Sequence, residues 1–262
     1  MQPMQTKTTI LRLPNYPHPY AISSNAADMI LAGIEKSSGY YEPHIMNVLR
    51  HIVKPDSICL DIGANIGAIS LGMSTYAPQG RVYAFEPSAV NFNYLSYNVQ
   101  QNGIRTVEPV QLGVYDRNTK LKFSYIDFGG GWSHITTEHA ERGIQETVQC
   151  VRIDDWVKER KLSRLDLIKL DVEGAEVPAL HGMAGTIGKF KPDLIVEFNP
   201  GAQQVIFQEN PKILYDTLRG LYPNLYIIDF NYTVPRLVSF EQLMSLFHSG
   251  REVVDIYCTF KG

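Results

Sequence analysis

Ser57-Ile58-Cys59-Leu60-Asp61-Ile62-Gly63-Ala64-Asn65-Ile66-Gly67-Ala68-Ile69-Ser70-Leu71 is the stretch whose reading decides the fold of this chain. Ser57 to Leu60 is short, apolar and β-prone, which predicts a strand buried on both faces. A Gly-bearing turn follows, and a helical pattern begins at Ile66. Strand, turn and helix in that order direct backbone N–H groups and the positive end of a helix dipole to the carboxyl edge of a sheet. Nucleotide-like ligands bind along that edge in doubly wound folds. Asp61, two residues before the first Gly, offers the ligand's cationic group a partner.

The spacing selects among such ligands. A dinucleotide fingerprint reads Gly-x-Gly-x-x-Gly, with glycines that let a pyrophosphate approach the backbone. This chain has Asp61-x-Gly63-x-Asn65-x-Gly67 instead. Asn tolerates left-handed backbone angles better than other side-chain-bearing residues, so Asn65 can hold a turn position where Gly is usual. A second strand, Arg81 to Phe85, ends on Glu86, about 20 residues beyond Gly67, where an acid can accept from both ribose hydroxyls. Together the two acids suit a ligand with a free amino acid end and an unphosphorylated ribose, which is S-adenosylmethionine. An ordinary turn capped by Asp61 or Asn65, with Glu86 merely solvated, explains one acid but poorly explains a pair at this spacing.

The remainder of the chain sets bounds. Its 262 residues fit one α/β domain with small additions. A net charge of -3 and the lack of a basic block exclude nucleic acid as an expected partner. Cys59, Cys150 and Cys258 have no metal-ligand spacing and read as buried thiols, which suits a cytoplasmic location. No signal-type core or membrane-length apolar run is present in the sequence.

Pro14, Pro17 and Pro19, interleaved with aromatic residues, predict an extended arm over residues 1 to about 25 that packs over the domain or roofs the pocket. Residues 1–38 are read as this arm with a helix, and 39–262 as the main domain. Tyr41 to Val53 is amphipathic, with Ile45, Val48, Leu49 and Ile52 on one face. After Glu86 come a helix closed by Gly103, a strand from Val107 to Val114 interrupted at Pro109, and a strand from Lys120 to Tyr125. Two strong buried strands follow, each with a terminal acid: Asp166 to Asp171 and Asp193 to Glu197. Helices fall between and after them, and Leu225 to Asp229 and Val253 to Phe260 close the chain as strands. Such alternation predicts an open α/β sheet, largely parallel with an antiparallel edge.

Several stretches now carry a specific resemblance: Gly39-Tyr40-Tyr41-Glu42, Leu60 to Gly67, Phe85-Glu86-Pro87, Asp154-Asp155-Trp156, Ile168 to Glu176 and Ile195-Val196-Glu197. Through them the chain resembles the FkbM family of class I S-adenosylmethionine-dependent methyltransferases, from about residue 39 to 200. The Lys169-x-Asp171-x-Glu173-Gly174-x-Glu176 segment is the most family-specific of them. The resemblance implies a Rossmann-like seven-stranded sheet with helices on both faces and O-methylation of a sugar, glycan or natural-product hydroxyl. By analogy Asp61 and Gly63 face the methionine part, Glu86 the ribose, and the loop around Leu112-Gly113 the adenine, with Ala64, Asn65, Gly67, Pro87 and Asp171 as further cofactor-binding residues. Glu42 is assigned to the amino acid end.

Methyl transfer from a sulfonium to a hydroxyl needs alignment and a proton acceptor. Lys169 and Asp171 share one side of an extended strand, so a buried structural ion pair and a functional Asp171 are both open readings. Asp171 is the leading candidate for the pocket floor, as general base or as contact to the donor's amino group. Glu197 is the second strand-end acid, while Glu173 and Glu176 also suit a helix N-terminus without touching substrate. Asp171, Glu197 and Asn199 could alternatively hold Mg2+. His134, after Gly129-Gly130-Gly131-Trp132, is read as a mobile general base or a solvated surface residue, with the glycines as a hinge. Two other functions compete: a nicotinamide-dependent oxidoreductase, disfavoured by the missing second Gly, and a non-catalytic cofactor-binding or interaction module.

Overall fold

Strands with apolar residues at every position need cover on both faces, and the chain supplies it with helices in alternation. A computed structural model describes residues 5–125, 134–135 and 144–261. The N-terminal part forms β1 (Thr6–Leu11), β2 (Tyr20–Asn25), α1 (Met29–Lys36) and α2 (Pro43–Ile52). Next come β3 (Ile58–Ile62), α3 (Ala68–Tyr76), β4 (Arg81–Phe85), α4 (Ala89–Gln101) and β5 (Val107–Val110). Strands β6 (Gly113–Val114), β7 (Thr119–Tyr125), β8 (His134–Ile135) and β9 (Ile144–Val151) then precede α5 (Ile153–Glu159). The chain continues with β10 (Leu167–Leu170), α6 (Glu176–Phe190), β11 (Asp193–Phe198), α7 (Pro200–Ile206) and α8 (Lys212–Leu221). It ends with β12 (Asn224–Ile228), α9 (Phe240–Phe247) and β13 (Val254–Thr259).

The main sheet has seven strands in the order β12-β13-β11-β10-β3-β4-β5. Pairs from β11 to β5 are parallel, and β13 runs antiparallel to both its neighbours. The antiparallel strand anticipated at the edge therefore sits one place in from it. Side chains alternate between two cores, as a period of two requires. Leu60, Ile62, Phe85, Ile168, Leu170, Leu194 and Val196 face the core shared with α5, α6, α8 and α9. Cys59, Val82, Ala84, Leu167 and Ile195 face the core shared with α1 to α4 and the hairpin. All three cysteines are buried and free.

The strand expected from Val107 to Val114 is two strands in different sheets. Pro109 lies in β5, the sheet's edge, where a missing N–H costs no ladder bond on the open side. β6 instead joins β9, β7 and β8 in a separate four-stranded sheet. The N-terminal arm is an antiparallel hairpin whose backbone meets amide side chains of α4: Ser23 N donates to Asn98 Oδ1 at 2.8 Å, and Ala21 N to Asn102 Oδ1 at 2.9 Å. The glycine run and Trp132 fall outside the described residues. Among the described residues no helix is long and apolar enough to cross a membrane.

Candidate active site

The same alternation that builds the two cores lines up charge at the sheet's carboxyl end. Asp61, Lys169, Glu197 and Asp255 each neighbour residues of the other core, so they share the α1–α4 face. Asp61 lies opposite Lys169, and Glu197 opposite Asp255. Lys169 is 3% exposed, and its Nζ donates to Asp171 Oδ2 at 2.5 Å. Burial opposes its charge, but the carboxylates of Asp171, Glu42, Asp61 and Asp255 outweigh that and hold its pKa well above the usual lysine value. The structural pair is present, and Asp171 also lines the cavity above.

That cavity measures about 830 Å³, within the size range of small-molecule sites. The loop after β3, the start of α3, Glu42, Glu86, the end of β10, Glu197, α7 and residues 251–253 all contribute to it. A smaller recess, bounded by Pro87, Leu112, Gly113 and Ile135, shares Gly63, Phe123 and Asp171 with it. The two together have the form of an extended site with a side pocket, and the residues assigned to adenine line the side pocket.

The turn after β3 differs from its expected form. Its N–H groups are bonded within the protein: Gly63 N and Ala64 N donate to the Phe85 carbonyl at 3.0 and 2.9 Å, and Asn65 N to Glu86 Oε2 at 2.9 Å. The turn is thus fastened to the end of β4, and the dipole end that reaches the cavity is the first turn of α3, through Ala68 and Ile69. Asn65 has φ of 50°, so it does occupy a left-handed position. Gly63, at φ 84°, has a different neighbour from the one a ligand-approach glycine implies. A Cβ there would lie 1.7 Å from the Asp171 carbonyl oxygen, so the missing side chain lets β3 and β10 meet at the cavity floor. Gly67 caps α3 at φ 93° and gives room to Leu95; it does not border the cavity.

Asp61 lies beneath the cavity rather than in its wall. It is 1% exposed, and Oδ2 accepts from Ser70 Oγ at 2.5 Å while Oδ1 is buried without a partner. Burial raises its pKa, opposed by Lys169 and Ser70. Glu86 is 4% exposed; its oxygens accept from the N–H groups of Asn65 and Ser88, both at 2.9 Å. Burial pushes it up to about 7 against those two bonds. Glu42 is held at φ 40° and ψ 57°, a left-handed conformation that costs a non-glycine residue about 1–2 kcal/mol. Its Oε2 is buried and unbonded, and burial, opposed by Lys169, pushes its pKa up to about 7.

Oxygens of Asp171, Glu173 and Glu197 lie within 4.8 Å of one another. Burial, and then the charge of Asp171, pushes Glu173 and Glu197 well above the usual carboxylate range. A period of two aligns Glu173 with Asp171 only if the strand continues, and it does not. Glu173, with φ of 51°, lies beyond the end of β10, where period-two reasoning stops applying. Glu176 is structural: Oε1 accepts from Gly174 N at 3.1 Å and Val172 N at 3.3 Å. Asn199 caps α7 by accepting from Ala202 N at 3.0 Å and is not in the acid cluster, although it borders the cavity.

His134 is neither solvated nor placed in a loop. It is 7% exposed in β8, paired with Ser124, and borders the cavity. Its neighbours Ile135 and Phe123 line the side pocket. It therefore lines the main cavity next to the recess and is not among the clustered acids. Sequence reasoning missed Tyr41, Ile30 and Arg251, which also border the cavity. Tyr41 lay in a quoted motif; Ile30 and Arg251 carry no motif or spacing signal.

The sequence family described as "Methyltransferase FkbM domain" matches residues 61–241. Methyltransferase sdnD of Sordaria araneosa is 28% identical over 207 residues, covering 68% of this chain and 77% of its own. The hexuronic acid methyltransferase AglP of Haloferax volcanii is 27% identical over 161 residues, 61% of this chain and 63% of its own. The 2-O-methyltransferase NoeI of Sinorhizobium fredii is 26% identical over 171 residues, 60% of this chain and 69% of its own. A crystal structure of methyltransferase FkbM from Methylobacillus flagellatus superposes with a TM-score of 0.50 at 17% identity, over 78% of this chain and 44% of that one. The last likeness concerns the fold alone.

Proposed function

The chain belongs to the FkbM family and is an S-adenosylmethionine-dependent O-methyltransferase, and from that premise we propose that it methylates a hydroxyl of a sugar or natural-product small molecule, with Asp171 as proton acceptor. The single observation that carries this is Asp171 itself. It stands at the cavity floor between the Gly63 turn and Glu197, with one oxygen bonded to Lys169. A carboxylate so held retains lone pairs on its other oxygen for the proton of an incoming hydroxyl. Glu86 and the recess at Leu112-Gly113 support the ribose and adenine assignments, and Glu42 with its unbonded oxygen supports a contact to the donor's ammonium. Asp61 acts from below, through Ser70 and Lys169. Glu197 and His134 are the further proton acceptors in this reading. The name of AglP, a hexuronic acid methyltransferase, supports a sugar acceptor, and that of NoeI, a 2-O-methyltransferase, supports transfer to oxygen.

In the reaction the nucleophile's oxygen forms a bond to the methyl carbon as the carbon–sulfur bond breaks, and the hydroxyl proton leaves to a carboxylate. The chain's part is to hold oxygen, carbon and sulfur in line within a site partly closed to water. A divalent cation, Mg2+, held by Asp171, Glu173 and Glu197 is a second reading, favoured by the spacing of their oxygens. Those three would supply hard oxygen ligands, and the cation would supply charge neutralisation near the acceptor. Turnover unchanged by EDTA removes it.

Residues 39–262 are taken as the methyltransferase domain and 1–38 as an accessory arm, supported by the arm's separate pairing. A cytoplasmic location is supported by three buried free thiols, and a small-molecule rather than nucleic-acid partner by the net charge of -3. Isothermal titration tests the reading. Saturable heat with S-adenosylmethionine and none with NAD is expected; the reverse result refutes it.

A further inference from the structure

The walls of the cavity are rich in acids: Glu42, Glu86, Asp171, Glu173, Glu197 and Glu252. Among the described residues bordering it, the permanently cationic side chains are Lys169 and Arg251. Lys169 is committed to Asp171. Arg251 is held differently. Its Nη2 donates to both oxygens of Asp229, at 3.1 and 3.2 Å, and its guanidinium carbon lies 5.5 Å from the centre of the Phe230 ring. Phe230 in turn packs against His44, which is bonded to Asp255 at 3.1 Å. These contacts fix the guanidinium plane, while Nη1 is buried with no hydrogen-bond partner.

A buried charged N–H without a partner is costly, and the cost is recovered when an acceptor oxygen arrives. Arg251 precedes β13, whose Val254 pairs with Phe198 and whose Asp255 lies opposite Glu197. It therefore stands beyond Glu197 in the sheet order, three strands along from β3 and four from β4 and Glu86. That is the end opposite the ribose and adenine residues, and the donor's amino acid end is assigned above to Glu42 and the turn after β3, so the oxygen it awaits is assigned to the acceptor.

We propose that Arg251 is a specificity-determining residue that binds a carboxylate on the sugar acceptor. The proposal rests on the methyltransferase reading above and adds the acceptor's charge to it. One guanidinium nitrogen without a partner suits one carboxylate oxygen. The acids around it repel a dianionic phosphate ester more strongly than a monoanion.

The test is calorimetric titration of the protein loaded with S-adenosylhomocysteine, using p-nitrophenyl glucuronide, p-nitrophenyl glucoside and glucose 6-phosphate. The glucuronide is expected to bind roughly tenfold or more tighter than the glucoside, as a charge-assisted bond provides. Arg251→Gln is expected to abolish that preference while glucoside and S-adenosylhomocysteine affinities stay within about twofold, which also shows that the variant is folded. Equal binding of glucuronide and glucoside, or no glucuronide binding, overturns the proposal. So does a preference that survives in Arg251→Gln, or tightest binding by glucose 6-phosphate. A fall in S-adenosylhomocysteine affinity in Arg251→Gln reassigns the residue to the cofactor and overturns it too. Failure of the wild-type protein to bind S-adenosylhomocysteine at all refutes the methyltransferase reading instead, and the two failures are thereby distinguished.

Discussion

Replacing Gly63 by Ala probes the join between the cofactor turn and the catalytic strand. The new Cβ would stand 1.7 Å from the Asp171 carbonyl oxygen and 2.8 Å from its carbonyl carbon, both backbone atoms that cannot rotate away. Gly63 also has φ of 84°, where a side chain costs about 1–2 kcal/mol. Forcing the two backbones apart adds about 1–3 kcal/mol, for a total of about 2–5 kcal/mol. For a chain of this size each kcal/mol lowers Tm by about 2–4 °C, so Gly63→Ala is expected to melt roughly 4–20 °C lower. Two other glycines separate the terms. Gly103, at φ 65° with nothing near its Cβ position, carries the conformational cost alone, about 1–2 kcal/mol. Gly188, exposed in α6 with open space around it, is expected to gain about 0.5–1 kcal/mol as Ala. Thermal melts of the three variants and titration with S-adenosylmethionine read both consequences. If Gly63→Ala melts with Gly103→Ala and binds cofactor normally, the close approach of β3 to β10 is not what requires glycine.

Other outcomes follow from the charges. Asp171→Asn is expected to lower kcat by about 10²–10⁴, with cofactor Kd changed only a few-fold; normal turnover removes Asp171 as proton acceptor. Lys169→Met leaves Asp171, Asp61 and Glu42 without their shared cation and is expected to destabilise by about 3–5 kcal/mol. That loss shrinks as pH falls and the acids protonate, so melts at pH 5 and 8 should differ; identical losses refute the shared-cation account. Glu42 and Glu86 sit at about 7 in the fold, above their free value, so the empty protein holds more protons than the unfolded chain. Its stability is expected to fall as pH rises from about 4.5 to about 7 and then level off. Cofactor binding, which favours their charged forms, should tighten over the same range and release protons, measurable by calorimetry in buffers of different ionisation heat. Glu86→Gln is expected to weaken S-adenosylmethionine binding about tenfold or more; unchanged affinity removes the ribose contact.

What was legible in the sequence was whatever a repeating period or a local turn encodes. β3, β4, β10 and β11 announce themselves because residues buried on both faces make short, predominantly apolar runs, broken in β3 and β10 by the buried charges Asp61 and Lys169. Asn65 declared a left-handed turn, and the structure has it there. Glu173 stood at the limit of this logic: its spacing from Asp171 was right, but its backbone leaves the strand before reaching it. Of the small sheet, β7 was legible from its alternation, while β6 and β8 span two residues each, too short for any period to show. Arg251 could not be found at all. Its importance comes from Asp229, Phe230 and the far ends of β11 and β13, which only the folded chain brings together.

The hairpin's attachment to α4 also bears on the order in which the chain assembles. Ala21 and Ser23 bond to Asn102 and Asn98 across 81 and 75 residues of sequence, through side-chain amides and not a sheet ladder. Such long loops close late, after the β3-to-α4 unit has given the amides their places. Elements that dock late, outside the ladder of the main sheet, open before that sheet in the native state. Because α1, which follows the hairpin, supplies Ile30 to the cavity wall, hydrogen exchange should find residues 20–36 losing protection well before β3 and β10. The chain's earliest residues would then be the last to fold and the first to let solvent reach the site.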